Sequence, residues 1–185
     1  MSGIINATNL EVANIKDSTG TNTAMTVDSS GRVTTPQLPF FHVIRSNSGG
    51  SISIGGVITF DSPVTNQGNH WDTSGNYFLV PVNGVYQFNF SAIGAGSGAT
   101  TVPVGGEVQV LLEKSTDNGS NYSEIINGAY HYTGSGATLL PNITFSASVL
   151  LAQNDRIRIN INKGYVYAST AANKYNVTLT GHLVG

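Results

Sequence analysis

The chain has 185 residues, no cysteine, 10% charged residues and a formal net charge of -2. Without cysteine there is neither a disulfide framework nor a thiolate metal site, and so small a net charge exerts no long-range pull on nucleic acid or an anionic membrane. Gly, Ser, Thr and Asn fill 79 positions, which disfavours exposed helix faces, while 39% hydrophobic content is enough for a core.

Residues 1–36 differ from the rest and contain no aromatic residue. Two similar turn tetrads, Asp17-Ser18-Thr19-Gly20 and Asp28-Ser29-Ser30-Gly31, carry Asp and Ser to start a turn and Gly to accept its positive φ. So few apolar groups cannot bury a core alone. The segment is expected to be disordered, or to pack on copies of itself or on a host surface, through Ile4, Ile5, Leu10, Val12, Ile15, Met25, Val27 and Val33. Met1–Asn6 lacks the basic and long apolar parts of a signal peptide. Pro36 and Pro39 stiffen a junction at 37–39, and residues 40–185 form the expected head.

From Phe40 onward the pattern is β. Phe40–Ile44 and Tyr77–Val80 are apolar on both faces, and Val57–Phe60 follows a Gly-Gly break. Tyr86, Phe88, Phe90 and Ala92 alternate with Gln87, Asn89 and Ser91, the period of a half-buried strand. Val108–Leu112, Ile143–Leu151, Ile157–Ile161 and Tyr175–Leu179 continue the series. Loops are expected at 46–51, 94–106, 116–120, 133–138 and 163–164. Eight to ten short strands without a helical stripe longer than two turns predict an all-β, antiparallel two-sheet sandwich. No run approaches the roughly 18 apolar residues of a membrane helix, so membrane insertion is not expected. Strands apolar on both faces need cover on the second face. Phe40, Phe41, His42, Ile44, Tyr77 and Leu79 are therefore the candidate oligomer-interface residues.

The stretch from Phe60 to Phe90 resembles the C1q-like domain, the jelly roll shared with tumour necrosis factor. Phe60, Asn66, Asp72, Gly75, Phe78, Pro81, Gly84, Tyr86 and Phe88 match the family's spaced residues. Val108–Lys114, Asn154-Asp155-Arg156-Ile157 and Gly181-His182-Leu183 resemble further family strands and turns. The resemblance implies a homotrimeric jelly roll whose first and last strands are neighbours, which brings His182 beside His42 as a further trimer-interface candidate. Asn154 stands where the family usually has Gly, and Asn tolerates the left-handed conformation better than most residues. There is no Gly-X-Y repeat, hence no collagen-like stem. Gly20–Val33 is similar to segments that precede C1q-like heads in tailed-phage virion proteins.

The chain carries few residues in patterns that support chemistry. His42, His70, His131 and His182 form no H-x-x-x-H spacing, and no nucleophile elbow or phosphate loop is present. An enzyme is not expected, and no cofactor either. Asp61, Asp72 and Asp117-Asn118 offer oxygen ligands for calcium, but their spacing matches no cation loop and they read as turn formers. Trp71, Tyr122, Tyr130 and Tyr132 are candidates for stacking on a sugar ring in ligand-facing loops, with core packing as the competing reading. Arg156 and Arg158 share a strand face and read as surface residues.

These observations lead to one expectation. The chain is a structural virion protein on a phage capsid or tail surface, a trimer anchored to a capsid or tail protein through residues 1–36. Its head is exposed to a possible host glycan or protein and takes no nucleic acid partner. A receptor-binding tail-fibre tip and a soluble C1q-like lectin or ligand are the alternatives.

Overall fold

The structure, a computed structural model, describes residues 13–16, 18–46, 55–95, 106–131, 141–166 and 177–184. The chain divides into two units, Met1–Leu38 and Pro39–Gly185. In the first unit β1 (Asn14–Lys16), β2 (Thr23–Val27) and β3 (Val33–Thr34) form an antiparallel sheet in that order. Ile15 faces Met25 and Val27 faces Val33. The second turn tetrad forms as its residues dictate. Asp28 Oδ1 accepts the Ser30 and Arg32 amides at 2.8 and 3.0 Å, and Gly31 takes φ +75°.

The second unit holds two antiparallel sheets. One comprises β4 (Phe40–Ile44), β5 (Ser62–Gln67), β8 (Gly84–Ala95), β11 (Asn142–Leu151) and β14 (Thr178–Leu183), in the order β11-β8-β14-β4-β5, with β13 (Tyr165–Val166) also on β8. The other comprises β6 (Trp71–Asp72), β7 (Tyr77–Leu79), β9 (Glu107–Ser115), β10 (Ser123–His131) and β12 (Arg156–Lys163), in the order β10-β9-β12-β7-β6. No helix occurs among the described residues. The class is all-β, an antiparallel two-sheet jelly roll, and the first and last strands of the head, β4 and β14, are paired.

Alternation fills the space between the sheets. Phe41 and Val43 of β4, Tyr86, Phe88 and Phe90 of β8, and Leu179 of β14 meet Phe78, Val110, Leu112, Ile157, Ile159 and Ile161 from the other sheet. Phe41 lies between Trp71 and Phe78, with ring centroids 5.2 and 4.8 Å away. Tyr86 satisfies its hydroxyl by donating to the Val82 carbonyl at 2.9 Å, as a buried phenol requires. Asn66 clamps Trp71, accepting its amide at 2.9 Å and donating to its carbonyl at 3.0 Å. Asn154 adopts φ +72°, the left-handed conformation expected of it.

The strand expectations need three amendments. Val57–Phe60 is an extended segment tied to β12 by one bridge, Val57 to Asn160, and by the Ile58 amide on the Ile159 carbonyl. The pair β5 and β6 was not expected, because Ser62–Gln67 shows no alternation. Strand β10 escaped the pattern because a register shift between Glu124 and Ile126 breaks its period of two. Gly128 within it leaves room for Phe145, whose Cδ1 would lie 2.9 Å from an added Cβ.

Gly181 is the tightest point of this packing. A Cβ there would meet Phe41 Cζ at 2.6 Å and Phe88 Cδ1 at 3.0 Å. Overpacking of this kind costs about 1–3 kcal/mol. Gly181→Ala is expected to lower the thermal unfolding midpoint by that cost, measured by calorimetry, whereas Gly55→Ala, which meets nothing within 4 Å, loses only what its positive φ demands.

Candidate functional site

The outward face of the β11-β8-β14-β4-β5 sheet is built from the other half of the alternation. None of its five strands contains Asp, Glu, Lys or Arg. Strand register aligns its side chains in rungs. Leu150 faces Val85, and the Val184 amide donates to the Val85 carbonyl, which sets an apolar row at the end of the sheet. Leu150 is 74% and Val184 60% exposed. The next rung runs Ser148, Gln87, His182, Phe40, Gln67, and the one after it Ser146, Asn89, Thr180, His42, Thr65.

Five polar side chains of these rungs, Ser148, Gln87, Ser146, Asn89 and Thr180, are linked in a chain. The Ser148 hydroxyl contacts Gln87 Oε1. Gln87 Nε2 donates to Ser146 Oγ at 2.7 Å, and Ser146 Oγ donates to Asn89 Oδ1 at 2.8 Å. Asn89 Nδ2 reaches Thr180 Oγ1 at 3.4 Å. Each net bond is worth only about 0.5–1.5 kcal/mol. Their consequence lies in satisfaction: amides already paired within the subunit lose less when water is removed. An uncharged face with internally satisfied polar groups and an apolar row is suited to close contact with another protein surface, where charged residues are depleted.

The opposite sheet carries the charge. Its strands contain Asp72, Glu107, Glu113, Lys114, Glu124, Arg156, Arg158 and Lys163. Arg158 pairs with Glu113 at 2.8 Å, Lys163 with Glu107 at 2.9 Å and Lys114 with Asp155 at 3.9 Å. Arg158 also lies over the Tyr122 ring at 3.5 Å and Arg156 over the Tyr77 ring at 4.4 Å.

The structure separates several residues that were expected to act together. Of the interface candidates, Phe40, His42, Ile44 and His182 belong to the outward side of the uncharged sheet, although Ile44 is buried. Phe41 is a correction: it is 1% exposed, held in the core by Trp71 and Phe78. Tyr77 and Leu79 lie in the other sheet, so they share no face with Phe40 and His42. Trp71 is likewise a correction as a ligand-facing residue. It is 3% exposed and packs against Phe41 and Phe60. Tyr122 sits where β9 turns into β10, whereas Tyr130 is in β10 opposite Val108, at the other end of that hairpin. The nine residues of β9 hold these ends of the hairpin roughly 25 Å apart. Tyr132, like the anchoring candidates Ile4, Ile5, Leu10 and Val12, lies outside the described residues. Ile15 and Val33 are exposed, and Met25 and Val27 half-buried. The signal that reasoning from the sequence overlooked was the absence of charge at the outward positions, through which Val85, Leu150 and Ser148 join Gln87 and Asn89.

The aspartates proposed for calcium are engaged in turns. Asp61 accepts the Ser46 amide and hydroxyl, and Asp117 the Ser115 hydroxyl and both Asn121 donors. Asp72 accepts the Ser74 hydroxyl at 2.6 Å and the Ser74 and Gly75 amides at 2.8 and 3.0 Å. Among the described residues no three His, Cys, Asp or Glu are gathered as a metal ion requires.

Comparison with known proteins gives a consistent result. The family model that matches is the C1q domain, over residues 40–184. No curated protein sequence matches the chain. Among solved structures, the globular domain of zebrafish complement 1qA protein is 16% identical with a TM-score of 0.55, covering 80% of this chain and 98% of that one. The Eiger TNF of S. frugiperda is 11% identical with a TM-score of 0.61, covering 80% and 94%. Murine APRIL at pH 5.0 is 11% identical with a TM-score of 0.54, covering 80% and 99%. At these identities the likeness establishes the fold.

The hydrogen bonds to Asp72, led by the Ser74 hydroxyl and the Gly75 amide, lower its pKa from 3.8 to about 2. A depressed carboxylate stabilises the fold above its unfolded value and loses that contribution as pH falls through the folded value. Asp72→Asn is expected to flatten the loss of stability between about pH 4 and about pH 2, read as a smaller drop in the unfolding midpoint over that window than in the unaltered protein.

Proposed function

This chain belongs to the C1q domain family through residues 40–184, and from that premise we propose that it is a structural virion protein of a tailed phage. It assembles as a homotrimer, attaches to capsid or tail through residues 1–36, and presents the C1q-like head outward. The observation that carries the assembly is the uncharged outward face of β11-β8-β14-β4-β5. A five-stranded face without Asp, Glu, Lys or Arg, carrying an apolar row at one end, calls for cover, and closed symmetry supplies it from identical copies.

The attachment rests on the first unit and its sequence. Its sheet leaves Ile15 45% and Val33 57% exposed, and among the described residues β1 and β3 are its edge strands, the positions at which strand addition occurs. Gly20–Val33 is similar to segments found ahead of such heads in tailed-phage virion proteins. Three copies of a weak anchor multiply avidity for a repeated surface. The role is one of binding and structure rather than catalysis. Within it, a decoration protein stabilises the shell, while an adsorption protein engages a host glycan or protein.

Cryo-electron microscopy of the intact particle tests this reading. Three-fold density of this chain on the shell or tail, with residues 1–36 toward the particle, is the expected result. Its position separates decoration from adsorption. Recovery of the protein only free of particles would overturn the virion assignment in favour of a soluble C1q-like ligand.

A further inference from the structure

We propose that the uncharged sheet face is also a pH-controlled joint, which holds copies of this chain together near neutral pH and releases them when His42 and His182 take up protons. The inference rests on the self-association reading above and concerns how that contact is regulated.

The geometry singles out these two side chains. Among the described residues they are the titratable groups on the outward face, since the strands that build it contain no Asp, Glu, Lys or Arg. His42 stands between Thr65 of β5 and Thr180 of β14, and His182 between Phe40 of β4 and Gln87 of β8. They are therefore one rung apart on neighbouring strands. The charged residues beyond Ile44, Arg45 and Asp61, are bonded to Thr59 and Ser46. Across the core, Asp72, Arg156, Arg158 and Lys163 belong to the other sheet. His70 lies off the face, with its ring edge-on to Phe78. No described carboxylate faces either imidazole to hold a proton on it.

The physical consequence follows from solvation. In a separated subunit an imidazolium on this face is hydrated. Covered by a second uncharged face, it loses that hydration and gains no counter-charge. A closed assembly would also repeat each pair by symmetry, so like charges accumulate within one contact. The assembly therefore binds fewer protons than its separated subunits. Linkage then makes association strongest where both imidazoles are neutral and weaker as pH falls into the range where imidazoles take up protons. The hydrogen-bonded ladder of Ser148, Gln87, Ser146, Asn89 and Thr180 contains no group that titrates in that range, so the response is assigned to the histidines.

Sedimentation equilibrium of the full chain from about pH 8 to about pH 5 reads this directly. The expected result is an association constant that falls at least about tenfold over that range, taking up more than one proton per assembly dissociated. The double variant His42→Gln, His182→Gln is expected to remain associated at the acidic end. Association unchanged with pH in the unaltered protein, or the same acid loss in the double variant, would overturn the proposal while leaving self-association intact. A monomer at every pH would overturn both. Should the double variant not fold, reaction of the unaltered protein with diethyl pyrocarbonate decides the matter. Protection of His42 and His182 in the associated state supports the joint, and equal modification in associated and separated subunits contradicts it.

Discussion

The fold depends on one contact above others, the aromatic clamp that Phe41 makes across the two sheets with Trp71, Phe78 and Phe88. It forms because β4 turns Phe41 inward and because Gly181, opposite it on β14, has no side chain. Asn66 fixes the backbone of Trp71 from β5, which sets the pairing of β6 with β7. Once Phe41 points inward, the period of two sends Phe40 and His42 outward. The same phase in β8, β11 and β14 sends out Gln87, Asn89, Ser146, Ser148, Thr180 and His182. The core thus decides which residues the molecule shows to its surroundings.

That division separates charge from neutrality. The scarcity of charged residues in the composition is not spread evenly. One sheet carries paired charges such as Arg158 with Glu113, while the strands of the other carry none. Glu113 and Asp155 are buried under their partners Arg158 and Lys114, while the more exposed Lys163–Glu107 pair is of the kind that contributes little stability; charge of this sort keeps that face soluble and unattractive to identical copies. The neutral face lacks that protection and has its amides already bonded laterally. The two outward faces are therefore suited to different surroundings, water for one and protein for the other.

Much of the head was legible in the sequence. Where large and small residues alternate cleanly, as in β8, β11 and β12, the strands and their core residues follow from the period alone. Asp72, Asn154 and Gly31 make turns for reasons local to their own side chains, and the spaced residues from Phe60 to Phe88 carried the family. What was not legible depended on partners distant in sequence. Strand β10 exists because β9 pairs with it, although its own register shift hides the pattern. Trp71 is flanked by turn-forming residues but is buried by Phe41 and Phe60. Tyr77–Leu79 reads like Phe40–Ile44 as a strand apolar on both faces, and only sheet order places the two in opposite sheets of the sandwich. The uncharged face itself was written in an absence, the missing charges at alternate positions, which no motif records.

The central claim is that the uncharged face of β11-β8-β14-β4-β5 joins identical copies. Sedimentation velocity of the full chain at neutral pH, compared with Asn89→Lys, tests it most directly. The account predicts a three-subunit species for the unaltered protein and a folded monomer for the variant, whose single charge lies in the middle of the ladder. An unaltered protein that stays monomeric at every concentration, or an Asn89→Lys variant that associates as well as its parent, would contradict it.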